Sequence, residues 1–253
     1  MKKAAKKSKK IQTNGIVIKT INVNESNRLL VILTDSLGVI TAFAGGVRKP
    51  TNKNSGACGL FVYSSFILTE TDGKYKVDEA FAKERFYELR FDVTKVALSS
   101  YFCEILSVLI PEGTIAPEFI PCLLNALYLV TEGKKPLLQI KAVTEMQFMV
   151  LAGFMPNLEG FMCEHNENPC FSYIDGGIVC DKCAKTHIGF KGHRLNKTLL
   201  DSLKFITESD SKKVYNFSIP EKDLEMLSNI CENYVIEQIE YRCKTLDGFK
   251  QLY

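Results

Sequence analysis

The sequence predicts an α+β protein, with a small five-stranded barrel in front and a helical half behind it that is interrupted by a cysteine-rich insertion. Three observations carry this. From Asn14 to about Lys83 the chain consists of short β-branched and aromatic runs separated by turn residues. From Asp92 onward apolar residues recur at helical spacing, and four of the nine cysteines fall between Cys163 and Cys183.

The strands are expected at Gly15 to Val23, Arg28 to Thr34, Val39 to Gly45, Leu60 to Thr71 and Tyr75 to Ala82. Asp35 to Gly38 separates the second from the third, and Asp72-Gly73 is a hairpin signal between the last two. The loop from Gly45-Gly46 to Gly59 carries Arg48, Lys49 and Lys53 among Gly, Pro, Asn and Ser, and is read as flexible and basic. Asp92 is an N-cap for a helix whose Leu98, Phe102, Leu106 and Ala97, Tyr101, Ile105 form two stripes, so that helix is expected to be buried around most of its girth. Pro111 and Gly113 end it, and Pro117 can open a second helix to about Thr131. A third runs from Leu137 to Ala152, where Gly153 supplies a left-handed stop. Beyond the cysteines, Asn196 is read as a cap, and Ser218 with Glu221 as a capping box before Leu224, Leu227, Cys231, Val235 and Ile239. The expected division is a basic tail over 1–12, a barrel domain over 13–84, and a helical domain over 85–253 with the insertion at 160–190.

Length and composition suit a folded protein: 253 residues, 46% hydrophobic and 24% charged. No apolar run reaches the ~18–20 residues of a membrane span, and no apolar signal core follows the basic start, so a reduced cytosolic setting without membrane contact is expected. Charge is uneven. Residues 1–80 hold thirteen Lys or Arg against six Asp or Glu, and six of the first ten residues are lysines. Such a run reads first as a solvated extension and secondly as an attractor of phosphate.

The cysteine cluster is spaced Cys163-x6-Cys170-x9-Cys180-x2-Cys183. Cys-x-x-Cys sets two sulfurs on one tight turn, and four thiolates suit one tetrahedral structural Zn²⁺. The first reading of the ligand set is Cys163, Cys170, Cys180 and Cys183. A mixed site is the second, with His165 the nearest substitute and His187 and His193 downstream, and unmetallated thiols are the third. His165-x-Glu167 ahead of Cys180-x-x-Cys183 superficially matches zinc deaminases, but Val179 stands where a proline is required. With three histidines, no phosphate-binding or dinucleotide glycine motif and no nucleophile elbow, no enzyme is expected. A small barrel with basic loops points instead to the oligonucleotide-binding fold, with Phe43, Phe61, Tyr63 and Phe66 as aromatics that either stack on bases or pack inside.

A set of segments then resembles the RecO family. These are Asn14-Gly-Ile-Val-Ile-Lys19, Glu25-Ser-Asn-Arg-Leu-Leu30, Thr34 to Gly38, Ala42-Phe-Ala-Gly-Gly-Val-Arg-Lys49, Ser99-Ser-Tyr-Phe102, Pro111-Glu-Gly113, Ala152-Gly-Phe-Met-Pro-Asn-Leu158 and Gly176-Gly-Ile-Val-Cys-Asp-Lys-Cys183. The resemblance implies an N-terminal oligonucleotide-binding barrel and a helical domain with a zinc-binding insertion. It further implies binding of single- and double-stranded DNA, and strand annealing without nucleotide hydrolysis. The implied partners are RecR, single-strand binding protein and, indirectly, RecA, in a cytoplasmic, nucleoid-associated setting. The family's basic barrel surface maps onto Arg28, Arg48 and Lys49, to which Lys53 and the tail lysines are added here. Its metal motif matches Cys180 and Cys183, with Cys163 in one of the earlier places and Cys170 as substitute ligand.

Overall fold

The computed structural model describes residues 8–165, 167–211 and 213–253. They form two compact units, one of the described residues up to Leu127 with Thr245–Tyr253, the other Tyr128–Lys244.

The first unit is built on β1 (Ser8–Asn22), β2 (Arg28–Thr34), β3 (Gly38–Ala44), β4 (Tyr63–Thr71) and β5 (Lys74–Glu84). They close in the order β1-β2-β3-β5-β4, with β3 and β5 parallel and the other pairs antiparallel. This is the five-stranded oligonucleotide-binding topology. Closure depends on the length of β1, which pairs with β4 over Ser8–Ile16 and with β2 over Gly15–Asn22, with a bulge between Val17 and Lys19. Alternation puts Leu30, Ile32, Ile40, Ala42, Phe66 and Leu68 inside. Asp72 and Gly73 both have positive φ, 51° and 73°, as the two-residue hairpin requires. Gly38, at φ 73°, opens β3 where a Cβ would meet the Thr114 carbonyl oxygen at 2.2 Å, so only glycine lets the segment after the first helix lie against this turn.

Two strand boundaries differ from expectation by more than two residues. Ser8–Gln12 of the expected tail are already strand, because β4 is long enough to pair with them; the lysines at 2, 3, 6 and 7 lie outside the described residues. The fourth strand starts at Tyr63 rather than Leu60, because Phe61 turns the chain with φ 63°.

A short 3-10 turn (Tyr87–Phe91) leads into α1 (Val93–Leu109), capped by Asp92, whose carboxylate accepts from the Thr94 and Lys95 amides. Leu98, Tyr101, Phe102, Ile105 and Leu106 are buried, which ties α1 to the barrel's unit. Glu104 accepts from the Thr245 amide at 2.9 Å, anchoring the last helix there too. α2 (Phe119–Glu132) starts in the first unit, and its residues from Tyr128 on belong to the second.

The second unit has α3 (Leu137–Leu151) at its centre, buried from Gln139 to Met149. Between α3 and α5 (Lys197–Glu208) lies a four-stranded sheet in the order β6-β8-β7-β9, made of β6 (Asn157–Phe161), β7 (Pro169–Ser172), β8 (Gly177–Cys180) and β9 (Gly192–Arg194), with α4 (Asp181–Thr186) after β8. α6 (Glu221–Ile239) and α7 (Lys244–Leu252) end the chain. Asn196 caps α5 through the Leu199 amide as expected, whereas α6 has Pro220 at its N-cap and no side-chain cap. Ser218 and Glu221 therefore form no capping box, since the helix starts two residues later.

Buried charge marks the α3–α6 contact. Lys141 Nζ lies 2.9 Å from Glu145 and 3.0 Å from Glu232, with the Ser228 hydroxyl and carbonyl each at 3.3 Å. α6 also holds the sheet: the Phe171 and Tyr234 rings pack at a 60° tilt with centres 5.2 Å apart, and Gln238 donates to the Tyr173 carbonyl at 2.7 Å. Among the described residues no helix is long and apolar enough to cross a membrane.

Candidate metal centre and nucleic-acid interface

The β7–β8 hairpin decides which cysteines come together. Cys180 ends β8 and is the N-cap of α4, so Cys183 is one helical turn further on. Cys163 and His165 come from the segment after β6. The ligand atoms of Cys163, His165, Cys180 and Cys183 all lie within 4.8 Å of one another. Cys183 Sγ stands 3.7 Å from His165 Nδ1, close to the edge of about 3.6 Å that a zinc tetrahedron with one sulfur and one nitrogen would give.

Main-chain amides serve the sulfurs. The Cys183 amide donates to Cys180 Sγ and the Cys180 amide to Cys163 Sγ, both at 3.3 Å. The Cys183 amide thereby holds the Cys180 thiol below its usual range, while the hydrogen bond with Cys180 pushes Cys183 up to about 11. Thiols competing in this way for one negative charge are those that a dication deprotonates together. The donor set can hold a metal ion.

Cys170 is not in the group. In β7 it pairs with Val179, is buried, and its Sγ faces the Asn168 carbonyl at 3.8 Å. Burial raises its pKa, as for an inert thiol. The structure thus brings His165, and not Cys170, together with Cys163, Cys180 and Cys183. His193 sits in β9 opposite Phe171, and His187 is exposed at the end of α4; neither joins the cluster. A zinc ion held by all four side chains would have a filled tetrahedron, with no open position beside Glu167.

The basic residues are dispersed. Arg48 is exposed; its guanidinium donates to the Asn24 carbonyl and its amide to that of Ser26, which docks this loop on the β1–β2 turn. Lys49 is exposed beside it. Lys53 instead pairs with Glu79 at 2.6 Å. Arg28 starts β2 and donates to Asn22 at 3.2 Å.

Of the four aromatics, Phe66 and Phe61 are buried, so packing claims them. Phe43 is half-buried on the outer face of β3. In register across the barrel run Ile21, Leu29, Phe43 and Lys76, and beside them Lys19, Val31 and Thr41. Tyr63 is half-buried too, with Lys83 Nζ 5.7 Å from its ring centre. Lys19 and Lys76 had no individual signal; strand alternation places them on this row only once the register is known.

Residues 8–86 match the family model Recombination protein O N terminal, and residues 90–247 match Recombination protein O C terminal. Proteins named DNA repair protein RecO are similar over nearly the whole length. That of Acetivibrio thermocellus is 27% identical over 245 residues, covering 96% of this chain and 97% of its own. That of Clostridium perfringens is 27% identical over 248 residues, covering 95% and 97%, and that of Caldicellulosiruptor saccharolyticus 25% over 243, covering 95% and 98%. The two models follow one another from the first strand into the last helix, barrel under one and metal-ligand cluster under the other, and the chain belongs to the RecO family.

Proposed function

We propose that the chain is a DNA-binding recombination mediator in DNA repair, which anneals complementary strands without nucleotide hydrolysis. In this reading it acts with RecR and single-strand binding protein to help load RecA on single-stranded DNA in the bacterial cytoplasm, at the nucleoid. The observation that carries it is the outer barrel row, where Phe43 lies between the apolar Leu29 and the cation Lys76. A half-buried aromatic ring with flanking lysines suits a base stacked against a sheet and a backbone neutralised beside it. Arg48 and Lys49 extend the positive surface at one end of β3.

Annealing then needs no energy source. Two strands repel through their phosphates, and cations that displace their counterions lower that repulsion while the bases stay accessible for pairing. The cluster of Cys163, His165, Cys180 and Cys183 would hold one structural Zn²⁺, which ties the segment after β6 to the start of α4. Its contribution is to folding of that segment.

The test is annealing of two complementary labelled oligonucleotides by the purified protein, without ATP, over a salt titration. Fast annealing that slows as salt rises supports the reading. Absence of both annealing and DNA binding at low salt would replace it with a protein adaptor.

A further inference from the structure

A second set of cations lies away from the outer barrel face. Arg28 shares strand parity with the inward-facing Leu30 and Ile32, opposite to Leu29, and so reaches the end of the barrel rather than the row of Phe43. There a cleft of about 430 Å³ is lined by Arg28, Gly56, Gly59, Tyr87 and Arg90.

Its floor is the loop between β3 and β4. A Cβ on Gly59 would stand 3.1 Å from Arg90 Nη2, and one on Gly56 3.3 Å from Arg85 Nη2. The two glycines therefore leave room for guanidinium groups to lie on the loop. Tyr87 spaces them, its ring centre 5.4 Å from Arg90 Cζ and 5.7 Å from Arg85 Cζ, and its hydroxyl accepts from Arg85 at 2.6 Å. Among the described residues none of Arg28, Arg85 and Arg90 forms an ion pair with a carboxylate. Arg28 and Arg90 in the wall of the cleft and Arg85 against its Gly56, none of them in an ion pair with a carboxylate, are complementary to an anion with several oxygens, and the planar fork of arginine matches phosphate.

We propose that this cleft is a second nucleic-acid subsite, which takes backbone phosphates of a single strand. It rests on the reading of the protein as a DNA-binding mediator, and deepens it: the outer row and the cleft lie on opposite sides of β2, so one barrel holds two strand segments. A strand kept by its phosphates in the cleft leaves its bases free for a partner lying on the outer row.

The experiment uses the full chain and fluorescent dT20, with affinity followed by anisotropy from low to high salt. Arg85→Gln/Arg90→Gln is expected to make log K against log salt shallower by about 1.4, at roughly 0.7 per lost phosphate contact. Both arginines are exposed, and an unchanged thermal midpoint checks that the variant is folded. Gly56→Ala keeps every charge and crowds the Arg85 guanidinium by a few tenths of an ångström, and is expected to weaken dT20 binding less than the arginine variant does. An unchanged slope in the arginine variant, with binding still weakened by Phe43→Ala/Lys76→Gln, overturns the cleft and leaves the outer row standing. Wild-type protein that fails to bind dT20 even at low salt overturns both. A labelled oligoglutamate peptide that loses affinity for the arginine variant while dT20 does not would assign the cleft to an acidic peptide and overturn the proposal.

Discussion

The amide of Cys183 donates to the sulfur of Cys180 at 3.3 Å, so the cap of α4 and the turn of the Cys-x-x-Cys pair are one structure. Folding of this turn preorganises half of the metal site, and His165 with Cys163 closes it from the other side. Protein purified without chelator is expected to carry about one zinc per chain. His165→Ala and Cys183→Ala should each lose most of that metal and lower the thermal midpoint, whereas Cys170→Ala should keep it. Metal analysis of the three variants decides the ligand set, and loss of zinc in Cys170→Ala with retention in His165→Ala would reverse the assignment.

Lys141 joins α3 to α6 through two buried carboxylates. Burial alone would lower its pKa, but Glu145 and Glu232 outweigh this and raise it above 10.5. Its contribution is therefore complete below pH 10.5 and is lost as pH rises through the higher folded value. Lys141→Met leaves two carboxylates facing one another in the core and is expected to cost about 3–5 kcal/mol in urea unfolding at pH 7.5. Replacing Lys141, Glu145 and Glu232 together by Met, Leu and Leu should recover most of that loss. Equal instability of the single and triple variants would show that packing, not charge, is what fails.

The barrel was legible in the sequence because each signal was local: alternation in β2 and β3, Asp72-Gly73 at the hairpin, Asp92 before α1. The cluster of Cys163, His165, Cys180 and Cys183 was legible only in its second half. Cys180 and Cys183 share one turn, but the other ligands depend on register, and Pro169-Cys170-Phe171-Ser172 is a strand whose pairing with β8 turns Cys170 away from the cluster. Spacing counts residues between cysteines without seeing that a hairpin separates them. The arginine cleft was missed for a similar reason: Arg28, Gly56 and Arg90 are brought together only by closure of the barrel.

Asp35 fastens the β2–β3 turn to β1, accepting from Thr13 Oγ1 at 2.7 Å and Asn14 Nδ2 at 2.8 Å. Partial burial would raise its pKa, but the hydrogen bonds from Thr13, Asn14 and Ser36 outweigh it and hold the carboxyl below 3.8. A depressed folded value gives stability that is present above pH 3.8 and is lost as pH falls through the folded pKa. Asp35→Asn is expected to be about 1–2 kcal/mol less stable than wild type at pH 7, from weakened hydrogen bonds to a charged acceptor. The gap should narrow as unfolding is measured at pH 4, 3 and 2.5. A gap independent of pH would mean that the carboxylate charge contributes nothing.

Arg48, Lys49 and Lys53 share one loop but not one role. Lys53 is already neutralised by Glu79 at 2.6 Å, while Arg48 and Lys49 are exposed and pair with no carboxylate among the described residues. A cation already paired with a carboxylate must give up that pair before it replaces a DNA counterion, and so contributes less. Arg48→Gln/Lys49→Gln is therefore expected to weaken binding of unrelated DNA sequences alike and to make the salt slope shallower by about 1.4–1.8, at 0.7–0.9 per contact. Lys53→Gln should change the slope by less, because Lys53 is held by Glu79 and adds no full phosphate contact to be lost. A slope that responds to Lys53→Gln and ignores Arg48→Gln/Lys49→Gln would place the phosphate path on the β5 side of the loop instead.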